Sequence, residues 1–180
     1  MLITFVKQPS EITHLRRREF HKSKIAMEFI KLLYHTHQLD AIMEQSPHFR
    51  PIFEAGRLPK NFNIHHIHPL SGGGKNTIDN LCLIEVSLHN SLNKYFFDPA
   101  LRDVTEPGQV KQISVPDLTP VSLYTDFLPD IQKKMREIKA QETKKAEEEK
   151  KKSEKQSFIR RVARRRRRIK KRRNFYRDGR

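Results

Sequence analysis

The sequence predicts an α+β protein with a small ββα core, helices on its N-terminal side, and a long basic C-terminal helix or disordered tail. Three observations support this prediction: apolar residues recur at helical spacing near the N-terminus, a strand, loop, strand and helix follow in that order, and basic residues accumulate at the C-terminal end. The expected segments are a helical region in residues 1–60, the core in 61–98, an extended connector in 99–125 and the basic segment in 126–180. The length of 180 residues suits one compact domain with an appendage.

The N-terminal region is predicted to be helical because apolar residues in 16–43 lie about three, four and seven positions apart, as on one face of a single helix or two short ones. Pro47 and Pro51 are expected to end this pattern. The same segment is rich in basic residues, and two interpretations stay open: they contact phosphates, or they form the solvated outer face of a packing helix. These residues are Arg16, Arg17, Arg18, His21, Lys22 and Lys24.

The core segment is predicted to contain two short strands and one helix. Residues 62–67 and 81–86 have the composition of strands, and the second contains the apolar run Leu81-Cys82-Leu83-Ile84. The glycine-rich stretch 69–76 lacks periodicity and is expected to be a loop that forms a flexible linker to Asn80. Ser87 is expected to cap a helix that ends at Asp98 and Pro99.

The remaining sequence is predicted to be a connector followed by a charged helix. Residues 102–124 contain three prolines and a glycine and have no clear period, which favours an extended segment wrapping the body. From Asp126 onward the sequence is compatible with helix, with Pro129 tolerated in the first turn. Glutamates at 147–149 precede lysines at 150–152, a spacing that supports an exposed helix. The apolar content of this segment is too poor for a core.

The net charge is concentrated in the last quarter of the chain. The protein has 37 Lys and Arg against 21 Asp and Glu, a formal charge of +16, and residues 133–180 hold 23 basic and 7 acidic residues, which account for all of it. Such a tail usually binds polyphosphate, and nucleic acid is favoured over a membrane because the tail lacks an apolar face. The residues expected to contact nucleic acid are Lys75, Arg164, Arg165, Arg166, Arg167, Arg168, Lys170, Lys171, Arg172 and Arg173.

The single cysteine and the lengths of the apolar runs indicate in which cellular compartment the protein is expected. Cys82 excludes an internal disulfide and a cysteine-rich zinc site, and its apolar neighbours favour a buried, inert thiol. No run approaches the ~18–20 apolar residues of a membrane helix, and the first residues are too short for a signal-peptide core. We therefore expect a cytoplasmic protein without a membrane partner, with export by a route that uses no cleaved signal left open.

The residues that can carry chemistry are histidines and asparagines of the core segment. His65 and His66 are adjacent on a strand and point to opposite faces, so one can bind a metal while the other accepts a proton. His89 and Asn93 lie four apart on one helix face, and a hairpin folded over that helix would bring them to His65. A divalent ion near a neutral imidazole is the arrangement that phosphodiester hydrolysis requires.

These residues resemble a known motif. The run His65-His66-Ile67-His68-Pro69-Leu70-Ser71-Gly72-Gly73, with Asp79-Asn80-Leu81 and His89 after it, is similar to the HNH (ββα-metal) endonuclease family, which includes colicin-type bacterial DNases and phage and restriction nucleases. The resemblance covers residues 60–97. It implies that His65 and His89 bind a divalent metal, that His66 is the general base, and that Asn80 braces the loop and holds the base.

One position departs from the colicin-type pattern, because Asn93 occupies the place of a further histidine. An amide oxygen as ligand favours Mg²⁺ or Mn²⁺, with Zn²⁺ or Ni²⁺ as alternatives, although Asn93 could instead lie outside the first coordination sphere. The implied function is metal-dependent endonucleolytic cleavage of nucleic acid, with double-stranded DNA as the expected partner.

Four alternatives remain. The histidines could form a structural zinc site, but their spacing fits no zinc finger, and the glycine-rich loop lacks the Ser or Thr of a phosphate-binding loop. The ββα fold could also serve as a non-catalytic nucleic-acid-binding scaffold. Finally, the domain could be the nuclease toxin of an antibacterial effector, with an immunity protein as its partner. The simultaneous presence of a base, two ligands and a bracing asparagine favours the enzyme.

Overall fold

A computed structural model of the protein describes the backbone of residues 1–177 and the side chains of residues 1–150 and 152. It confirms the α+β class. The protein divides into two units, Met1–Lys134 and Met135–Arg180. The seven α-helices of the described part are α1 (Ser10–Lys22), α2 (Ile25–His35), α3 (Asp40–Gln45), α4 (Arg50–Glu54), α5 (Val86–Leu92), α6 (Asp98–Leu101) and α7 (Tyr124–Arg177).

Five strands form two small sheets in the first unit. They are β1 (Leu2–Val6), β2 (Phe62–His66), β3 (Leu81–Glu85), β4 (Val110–Ser114) and β5 (Val121–Ser122). Strands β2 and β3 form the expected antiparallel hairpin, with His65 opposite Cys82 and His66 opposite Leu81, and β5 pairs in parallel with β3. Strands β1 and β4 form a separate antiparallel pair.

Strand β3 is buried on both faces because it separates two apolar clusters. Cys82 and Ile84 pack in one cluster with residues of β1 and α5, whereas Leu81 and Leu83 pack in the other with residues of α2 and α4. The alternation follows from the two-residue period of a strand. A continuous apolar run, rather than an alternating one, is therefore the pattern that this position requires.

The helix after β3 differs from the prediction at both ends. It begins at Val86, and no side chain caps it, so the expected cap by Ser87 is wrong. It also does not end at Asp98: α5 continues into a π-helical turn, Asn93–Phe97, and then into α6. Pro99 lies at the start of α6, directly after the π-turn. A π-turn adds one residue per turn and is common at functional sites.

Two further segments are more structured than predicted. The N-terminal region contains strand β1, and residues 99–125 contain β4 and β5, so this connector contributes to both sheets. Helix α7 begins at Tyr124, which places Pro129 inside the helix and not in its first turn. Its early residues Phe127 and Ile131 are 8% and 1% exposed and belong to the core, contrary to the expectation that this segment is too polar to pack.

The C-terminal segment is helical rather than disordered as far as Arg177. The side chains of the basic residues predicted to contact nucleic acid, from Arg164 to Arg173, lie outside the described residues. Within the described part of the chain, none of the helices combines the length and the apolar character needed to cross a lipid bilayer.

Candidate active site

The hairpin and the following helix bring the predicted metal ligands together. The ring centroids of His65 on β2 and His89 on α5 are 5.1 Å apart, and the ring of Phe97 lies 5.7 Å from that of His65 on another side. Asn93 Nδ2 lies 3.4 Å from His89 Nε2. The residues that the sequence placed around one cation are thus neighbours, and Phe97 forms an apolar wall beside them.

His65 has an unsatisfied nitrogen. The residue is 8% exposed, and its Nε2 has no hydrogen-bond partner among the described residues. Burial, followed by the neighbouring His89 and His66, lowers the pKa of His65 to about 3, so the ring is neutral at physiological pH. A buried polar atom without a partner is costly, and a neutral imidazole nitrogen is a good ligand for a cation. The local structure therefore fits a bound metal.

His89 lies between two asparagine amides. Its Nδ1 is 3.4 Å from Asn63 Nδ2, and its Nε2 faces Asn93. A neutral imidazole has one nitrogen that donates and one that accepts. The two amides therefore cannot both donate to it, and one of them must present its oxygen. If Nε2 is the metal-binding nitrogen, Nδ1 carries the proton and Asn63 Oδ1 accepts it. Asn63 then orients this ligand, a role that the sequence analysis missed although Asn63 and His65 share a strand face.

His66 is held by a residue that the sequence analysis did not select. Its Nε2 lies 3.0 Å from Asn76 Oδ1, while Asn76 Nδ2 donates to the carbonyl oxygen of Arg16 at 2.9 Å. Since a carbonyl only accepts, the orientation of the Asn76 amide is fixed, and His66 Nε2 must be the donor. The lone pair of neutral His66 is therefore on Nδ1. Burial lowers the pKa of His66, which keeps the ring neutral.

Asn80 braces the loop after β2. Its Oδ1 accepts a hydrogen bond from the His68 backbone N–H at 2.8 Å, and its Nδ2 donates to the carbonyl oxygens of His68 and Lys75 at 3.1 and 2.9 Å. None of these bonds reaches the ring of His66. The loop contact expected of Asn80 is therefore present, whereas the direct contact with His66, the predicted base, is made by Asn76.

The glycine-rich loop is packed rather than flexible, so the expected flexible linker is wrong. Gly72 and Gly74 are buried, and both donate backbone hydrogen bonds to the Pro69 carbonyl. A Cβ atom at Gly74 would lie 1.9 Å from the His68 carbonyl oxygen, and one at Gly72 would meet the ring of Phe5 at 2.4 Å. These glycines allow close approach of the backbone. His68 directly precedes this loop, and its buried Nε2 has no partner among the described residues.

A cleft of about 580 Å³ opens over these residues. It is lined by His65, His66, His89 and Asn93 from the core and by residues of α1. Lys75, predicted to contact nucleic acid, is exposed but is not among the residues that line the cleft. Cys82 is fully buried, and burial raises its pKa to about 12, so the thiol is inert as expected.

The comparisons with known proteins agree with this geometry. Residues 52–90 match the family model of the HNH endonuclease, which confirms the resemblance. The chain is also similar to the uncharacterized protein YhhZ of Escherichia coli (strain K12), with 32% identity over 83 residues. That alignment covers 46% of this chain and 20% of YhhZ, so the chain spans about a fifth of that relative. No solved structure matches.

The buried neutral His65 leads to a prediction about acid stability. Its folded pKa of about 3 lies below the unfolded value of about 6.5, so the unfolded chain binds the proton first as the pH falls. In the metal-free protein, the free energy of unfolding should decrease between pH 6.5 and 3, with His65 contributing up to about 1.4 kcal/mol per pH unit. Urea denaturation at pH 7, 6 and 5 in a chelator should show a shallower decrease for His65→Phe.

The exposed His35 provides the control, since His35→Phe should retain the wild-type pH dependence. An equal decrease in wild type and His65→Phe would contradict the assignment of the low pKa to His65.

Proposed function

We propose that the protein is a metal-dependent endonuclease that hydrolyses phosphodiester bonds of double-stranded DNA. The observation that carries this proposal is the common cleft, in which neutral His66, with a free lone pair on Nδ1, lies beside the histidine pair His65 and His89. The HNH domain match supports a nuclease-like function for the same residues. A scaffold that only bound nucleic acid would not need the base and the ligand pair in one cleft.

The metal would be held by His65 Nε2 and a ring nitrogen of His89, with Asn93 as a further ligand. Within the described residues, no three His, Cys, Asp or Glu side chains are grouped so that they could hold a metal ion. Two histidines and an amide therefore leave room for water and substrate oxygens, which suits Mg²⁺ or Mn²⁺ more than a closed zinc site. When bound, the ion would neutralise charge at the scissile phosphate and stabilise the leaving oxygen.

His66 would act as the general base. Its neutral ring accepts a proton from the attacking water at Nδ1, while the hydrogen bond from Nε2 to Asn76 holds the ring orientation and stabilises the charge that develops on the imidazole. Asn76, in turn, is fixed by its bond to the Arg16 carbonyl. Phe20 packs edge-on against the His66 ring at 4.8 Å and limits its rotation.

The sequence-independent affinity for DNA would come from the basic C-terminal segment. Its 23 basic and 7 acidic residues between positions 133 and 180 together account for the net charge of +16. Binding of this kind is dominated by phosphate contacts and counterion release. The proposal includes Lys75, which is exposed in the glycine-rich loop, as a further phosphate contact.

The test is incubation of supercoiled plasmid with purified protein in Mg²⁺, Mn²⁺, Zn²⁺ or Ni²⁺ and in a chelator, with single-stranded DNA and RNA as parallel substrates. Nicked and linear plasmid in Mg²⁺ or Mn²⁺, and intact plasmid in the chelator, are the expected results. Intact substrates in every metal would refute the endonuclease assignment, and cleavage of RNA alone would refute the choice of DNA.

Asn93 determines the expected metal preference. If its amide oxygen is a ligand, Asn93→His should shift the preference of the site toward Ni²⁺, Co²⁺ or Zn²⁺, because imidazole suits these ions better than carbonyl oxygen does. Asn93→Leu should weaken metal binding. Metal titration by calorimetry, together with cleavage rates in each metal, measures both effects, and an unchanged order of metals in Asn93→His would remove Asn93 from the ligand set.

A further inference from the structure

The cleft has a second wall, helix α1, which lies outside the HNH domain match. Arg17, Phe20 and His21 line the cleft from this helix. Their spacing of three and four residues places them on one helical face. The same cleft is lined by the histidines and the asparagine of the core, so an anion bound among them would lie near this helix.

Helix α1 is attached to the glycine-rich loop by Arg16, the residue immediately before Arg17. Arg16 Nη1 donates to the Gly74 carbonyl at 3.1 Å, and the Arg16 carbonyl accepts from Asn76 at 2.9 Å. These two bonds, with the Phe20 contact to His66, fix both the position and the rotation of the helix. Arg17 is therefore held toward the cleft, close enough that its charge contributes to the lowered pKa of His66.

Arg17 differs in charge from the other residues that line the cleft. Among the described residues that line the cleft, Arg17 is the one Arg or Lys, and the core side contributes only the carboxylate Asp98 as a formal charge. Arg17 is exposed, and no ion pair holds it within the described part of the chain. A phosphodiester anion entering the cleft would thus find a cation that is positioned by its helix and is free to bind.

We propose that Arg17, with His21 beside it, binds the non-bridging oxygens of the nucleic-acid phosphodiester at the cleavage site. This inference rests on the proposed function and adds a substrate-binding residue from α1. The planar guanidinium presents two parallel N–H donors that match two phosphate oxygens, and its charge stabilises the negative charge that increases as the attacking water adds. His21, one helical turn further along, lies where it can contact an adjacent oxygen.

The test compares Arg17→Gln with Arg18→Gln in the full chain. Arg18 is the adjacent exposed arginine and does not line the cleft, so it controls for the loss of one positive charge from α1. Under single-turnover conditions with saturating protein, Arg17→Gln should cleave a DNA duplex about 10²-fold more slowly, as expected when a donor to developing charge is removed. Arg17→Lys should retain part of the rate, and the thermal midpoint should not change in any variant.

A second measurement does not require cleavage. In the His66→Ala background, the affinity for a fluorescein-labelled trinucleotide is measured by anisotropy at several salt concentrations. The slope of log affinity against log salt should decrease by about 0.7 for Arg17→Gln, the value for one lost phosphate contact on a single strand, and should be unchanged for Arg18→Gln.

Equal effects of the two substitutions in both measurements would overturn the role of Arg17 while leaving the nuclease assignment intact. Conversely, an Arg17-dependent affinity in a protein that cleaves no nucleic acid would support the binding role and overturn the proposed enzyme activity. A His66→Ala protein that does not bind the trinucleotide would overturn this inference.

Discussion

Replacement of His66 by alanine is expected to lower the cleavage rate by about 10²–10⁴-fold, the usual contribution of a general base. Metal affinity should stay close to that of the wild type, because His66 is proposed to contact the attacking water rather than the ion and its ring is held by Asn76 and Phe20. Single-turnover plasmid cleavage gives the rate, and calorimetric titration gives the metal affinity.

His35→Ala serves as the control for this experiment, since His35 is an exposed histidine on α2 and should be replaceable without loss of rate. A His66→Ala protein that cuts plasmid as fast as the wild type would show that another group accepts the proton. A protein that loses metal affinity in parallel with its rate would show instead that His66 belongs to the metal site.

Replacement of Asn80 by alanine is expected to reduce the free energy of unfolding by about 2–4 kcal/mol, since it removes three hydrogen bonds to the backbone of the loop. Activity should be lost as well, because the same loop carries Asn76, the partner of His66. Urea denaturation and plasmid cleavage measure the two effects.

Asn80→Asp tests the contribution of the hydrogen bonds, because aspartate has nearly the same shape as asparagine but no amide donor. An aspartate keeps an acceptor for the His68 N–H but places carboxylate oxygens against the carbonyls of His68 and Lys75, so it should destabilise nearly as much as alanine. The adjacent exposed Asp79 provides the control, with Asp79→Ala expected to change stability by less than about 0.5 kcal/mol. If Asn80→Ala unfolded at the same urea concentration as the wild type, the loop would hold its conformation without this side chain.

The local sequence pattern was enough to predict the positions of the two strands at the core of the fold. The strand predicted at 62–67 is observed at Phe62–His66, and the strand predicted at 81–86 is observed at Leu81–Glu85. Both elements are short, β3 is almost wholly apolar, and turn-forming residues precede each of them, so the signal lies within a few neighbouring positions. The pairing of His65 with His89 follows from the same local order, since a hairpin packed on the next helix has few alternatives.

Contacts between distant parts of the chain could not be predicted in this way. Strand β1 pairs with β4 across more than a hundred residues, and neither segment alternates strongly enough to reveal its partner. The role of Asn76 depends on the conformation of the glycine-rich loop and on the docking of α1, neither of which has a sequence signature. The π-turn at Asn93–Phe97 is equally invisible, because its residues favour an ordinary helix.

The two ends of the Asn76 side chain have a consequence for how this folded unit can be transplanted or shortened. One end holds the imidazole of His66 and the other holds the backbone of α1, so the N-terminal helix and His66 share a single amide. A fragment that began at residue 52, where the family match starts, would keep every motif residue yet lose the group that fixes this amide. The recognisable motif is therefore shorter than the folded unit that holds His66 in place, which extends back at least to α1, Ser10–Lys22.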